Sequence, residues 1–109
     1  MPLVVDFLDE DNTTIPYSVF AEGCEEQEPS LGLGGDPGIV WMAAAGLQFG
    51  DYHSYPSRVV GVEKMVGNLK KLGDKDDPSY GEYIEWVDVF EKVLREKGIH
   101  AAWIRRESN

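Results

Sequence analysis

Cysteine is almost absent from this chain: Cys24 is the only one among 109 residues. A lone cysteine cannot close an internal disulfide, which excludes the stapled scaffolds of small secreted domains. Positive charge is missing from the first half, where no Lys or Arg precedes Arg58. Long apolar runs are missing as well. The longest, Gly38 to Leu47, has about half the length of a membrane-spanning helix. The opening Met1-Pro2-Leu3-Val4-Val5-Asp6 has no basic residues, and an acid interrupts its apolar run, so no secretory leader is read there. These absences predict a soluble cytoplasmic protein with no membrane partner.

What is present is enough for a core. Hydrophobic residues make up 42% of the chain, including three Trp, five Tyr and four Phe. A chain of this length is ordinary for one domain, and residues 1–109 read as a single domain needing no structural metal. The net charge is −10, and it is unevenly placed. Ten acids precede Arg58: Asp6, Asp9, Glu10, Asp11, Glu22, Glu25, Glu26, Glu28, Asp36 and Asp51. From Arg58 onward, ten acids face ten bases. Nucleic acid and anionic lipid both require positive charge on the protein, so direct binding to either is not expected. A basic protein partner is electrostatically allowed.

Leu3 to Leu8 is a β-rich run, followed by the polar turn Asp9-Glu10-Asp11-Asn12-Thr13 and a second apolar run, Ile15 to Phe20. The pair predicts a hairpin. Residues 22–38 are acidic and then glycine-dense, which predicts a long mobile loop. Ile39 to Phe49 lacks clear periodicity: the Asp36-Pro37 start and three alanines favour a helix, Ile39-Val40-Trp41 favours a strand, and we read the strand; Gly50 to Ser57 reads as an aromatic loop. Val62, Met65, Val66, Leu69 and Leu72 form a helical stripe. Gly73 suits its C-terminal cap, and Gly67 marks a close contact with a neighbour. A second helix starts at a Ser79–Glu82 capping box and buries Tyr83, Trp86, Val87, Phe90, Val93 and Leu94. Gly98 ends it. Ile99 to Ile104 reads as a strand with Trp103 in the core, and 105–109 as a polar tail. The order β-β-loop-β-α-α-β predicts an α+β fold, with two helices from the C-terminal half on one face of a mostly antiparallel sheet.

No motif for a cofactor or a metal survives inspection. The glycine-rich Gly32 to Gly38 segment matches neither phosphate-loop spacing and has no nearby Lys. Asp9-x-Asp11-x-Thr13 resembles the start of a calcium loop, but Thr14 and Phe20 stand where Gly and Glu are required. Cys24, His53 and His100 have no paired zinc spacing. Glu22, Glu25 and Glu26 flank Cys24 in sequence, and negative charge disfavours an activated thiolate.

Two constellations remain. The first is a partner-binding surface built from Asp9, Glu10, Asp11, Glu22, Glu25, Glu26 and Glu28, with Tyr52 and Tyr55 as aromatic anchors. It predicts a non-enzymatic protein-binding module, a small acidic inhibitor or antitoxin- or immunity-like protein that acts on a basic protein surface. The alternative is a pocket near Asp51, His53 and Tyr55, serving a small enzyme or a ligand-binding protein. A third reading is a homo-oligomeric structural protein that pairs through an uncovered strand edge.

Overall fold

The computed structural model describes residues 3–27, 37–47 and 57–106. The fold is α+β. Its strands are β1 (Leu3–Leu8), β2 (Thr14–Ile15), β3 (Arg58–Gly61) and β4 (Ala101–Arg106). Its helices are α1 (Tyr17–Gln27), α2 (Pro37–Ala44), α3 (Val62–Lys71) and α4 (Tyr80–Glu96). The sheet order is β2-β1-β4-β3, antiparallel throughout. No described helix is long and apolar enough to cross a membrane.

Strand alternation divides the sheet into two unlike faces. Phe7 pairs with Ala102, Val5 with Ile104, and Ala102 with Val60. These residues face the helices in one contiguous core with Phe20, Trp41, Met65, Leu69, Phe90 and Leu94. Phe7 is fully buried, with its ring centroid 5.2 Å from Phe20, 5.3 Å from Trp41 and 5.5 Å from Tyr17. The other face carries Asp6, Trp103 and Val59, which lie side by side in register. Trp103 is 38% exposed there, so it does not belong to the core as expected. Ala102 and Ile104 point inward, and the intervening residue must point out.

The element order departs from expectation in the first half. The hairpin forms, but its second strand stops at Ile15 instead of reaching Phe20. Its turn closes through Asn12, whose φ of 62° is left-handed, with Asn12 N–H donating to Asp9 C=O at 3.0 Å. After Pro16 the chain becomes helical, so residues 22–27 form the second half of α1, not a loop. The expected loop was read from acid content, yet Phe20, Gly23 and Cys24 are buried on one side while Glu22, Glu25 and Glu26 are exposed on the other. That is an amphipathic helix. The remainder of the expected loop, 28–36, lies outside the described residues.

The expected third strand is also helical. α2 has Pro37 at its first position, a site that suits proline. It ends at Gly46, φ 76°, where Gly46 N–H donates to Ala43 C=O and Leu47 N–H to Met42 C=O, both at 2.9 Å. This is a Schellman closure. Two further donors serve that end: Asn68 Nδ2 to Ala44 C=O at 2.8 Å, and Arg58 Nη1 to Ala45 C=O at 3.4 Å. The actual third strand is the short β3, which had no counterpart in the expected order.

Both C-terminal-half helices form where expected, although their ends differ in detail. Gly98, φ 72°, closes α4 with Ile99 N–H on Leu94 C=O at 2.9 Å. Gly73 follows α3 without the positive φ of a C-terminal cap glycine, and a Cβ there would lie 3.1 Å from the Tyr83 ring, a tight contact. Gly67 has nothing within 4 Å of such a Cβ and marks no close contact. Ser79 is the N-cap of α4, yet its side chain caps nothing in the helix. Its Oγ donates instead to Asp77 Oδ1 at 2.7 Å, and its N–H to the same oxygen at 2.8 Å. These bonds hold the Asp77 carboxyl below its ordinary value.

Candidate functional site

An open cleft of about 620 Å³ lies at the end of the sheet. Three junctions build it: the β1–β2 turn, the β3–α3 junction, and the turn from α4 into β4. They bring Asp9, Glu10, Asp11, Glu63, Arg95 and His100 to its walls.

The turn owes its shape to Asp9. Its Oδ1 accepts the N–H groups of Asp11 and Thr13, both at 2.9 Å. Asp is favoured in turns because its side chain bonds the main chain a few residues on. The Asp9-x-Asp11-x-Thr13 pattern therefore reflects turn closure. The exposed carboxylates of Glu10 and Asp11 project beside it. Glu63 comes from the first turn of α3, where the helix dipole favours an acid. The sequence reading missed Glu63, because acids in a charge-balanced half give no local signal.

The arginine in the cleft does not cancel these acids. Arg95 is held by Glu91, with Nη2 2.9 Å and Nε 3.0 Å from the same carboxylate oxygen. His100 is exposed. The cleft therefore keeps an excess of negative charge in a solvated setting, suited to an incoming ammonium or guanidinium group.

The other expected acids lie elsewhere. Glu22, Glu25 and Glu26 occupy the solvent face of α1 and line no part of the cleft. α1 instead packs on α4, where Gly23 sits under Val93 and Lys97, and Lys92 Nζ donates to Gln27 Oε1 at 3.2 Å. The acids named as partner contacts are thus divided between the cleft and the α1 face. Glu28, Tyr52 and Tyr55 lie outside the described residues. So does the alternative pocket of Asp51, His53 and Tyr55.

None of the described charged or polar side chains is buried, and no cluster of three His, Cys, Asp or Glu among the described residues could hold a metal ion. Cys24 is 6% exposed, and burial pushes its thiol from 9.0 up to about 11, away from the thiolate form. Its sequence position between glutamates had suggested electrostatic suppression, but burial is the operative cause.

The sheet face that no described helix covers offers a second surface. Arg105 lies over Trp103, 3.9 Å from the ring centroid, and its Nη1 is 2.7 Å from Asp6 Oδ2. Val59, 61% exposed, stands opposite Trp103 on β3. Compared with family models, curated proteins and solved structures, the chain matches none.

Proposed function

We propose that this protein is a non-enzymatic binding module whose acidic cleft docks on a basic surface of a partner protein, in the manner of a small inhibitor, antitoxin or immunity protein. The observation that carries this reading is the convergence of Asp9, Glu10, Asp11 and Glu63, from separate elements, on one open cleft. The exposure of Glu10, Asp11 and Glu63 suits long-range attraction, which speeds encounter and weakens with salt. The acids on the outer face of α1 extend the negative field on another side of the molecule. They add to the attraction without forming part of the same contact.

The test is affinity capture from cells of the source organism, with the wild-type chain and a Glu10→Gln/Asp11→Asn/Glu63→Gln variant run in parallel. A captured protein with a basic surface, bound in low salt and released as salt rises, is the expected result. The variant should associate with it about tenfold more slowly. Equal capture by the variant, or an acidic partner indifferent to ionic strength, would sink the proposal.

A further inference from the structure

We draw no further inference here: the strongest candidate, the exposed patch of Val59 and Trp103 on the sheet face that no described helix covers, carries nothing, because nothing in the structure shows what covers it.

Discussion

Arg105 stacks on Trp103 with its guanidinium carbon 3.9 Å from the ring centroid, while its Nη1 stands 2.7 Å from Asp6 Oδ2. That nitrogen is closed off from water but makes no well-aligned hydrogen bond. The contact with Asp6 is an ion pair, and Trp103 roofs it. The charges of Asp6 and Arg105 are therefore matched locally, and the middle of the sheet face that no described helix covers is close to neutral. It differs in kind from the acidic cleft at the sheet's end.

Trp103→Ala should lower stability by about 1–2 kcal/mol, combining a lost cation–π contact with partial loss of apolar cover. Urea unfolding would read this as a lower midpoint at unchanged slope. A cost above 3 kcal/mol would mean that Trp103 is buried in solution, contrary to its exposure here.

Phe7→Ala should cost about 3–5 kcal/mol, because the ring is fully buried among Tyr17, Phe20 and Trp41. A domain of ordinary stability holds only about 5–15 kcal/mol. The variant should therefore unfold at markedly lower temperature in a calorimeter.

Two glycines should respond oppositely to alanine. At Gly23 a Cβ would lie 2.7 Å from Val93 Cγ1 and 2.9 Å from Lys97 Cε. Lys97 can swing away, but Val93 is fully buried. Gly23→Ala should push α1 off α4 and cost about 1–3 kcal/mol. At Gly67 a Cβ meets nothing within 4 Å, so Gly67→Ala should gain about 1 kcal/mol of helix propensity. Parallel thermal melts of the two variants would check both signs.

Stability should fall as pH rises through the alkaline range. Burial raises the Cys24 thiol from 9.0 to about 11, so between those values the folded chain keeps a proton that the unfolded chain releases. Burial also raises Tyr17 and Tyr83 above 10.0, which extends the loss in the same direction. Cys24→Ala should flatten the early part of this decline in pH-dependent urea melts. The same burial should make the native thiol slow towards alkylating reagents at neutral pH and fast once the chain is unfolded.

Legibility in the sequence followed the strength of the local pattern. α3 and α4 were readable because Met65, Val66 and Leu69, and Val87, Phe90 and Leu94, repeat at helical spacing. α1 was not, because its buried set of Phe20, Gly23 and Cys24 includes a glycine and a cysteine that carry little hydropathy signal. α2 is apolar on most sides, so its period was invisible, and the β-branched Ile39-Val40 suggested a strand. β3 has only four residues, and no short-range pattern can announce a strand of that length. The turn acids stand out in the sequence as a polar run between two apolar ones, but their link to Glu63 depends on a fold that returns α3 to the same end of the sheet.

By itself, the sequence determined the α+β class, the two C-terminal-half helices, the flanking strand and the confinement of excess negative charge to the residues before Arg58. Those properties follow from composition and from periodicities spanning a few residues. Tertiary structure alone decided that the acids divide between a cleft and the outer face of α1, that Glu63 joins the first group, and that Trp103 faces out. Each of these depends on which distant segments pack together, and burial among distant partners decides where a side chain points.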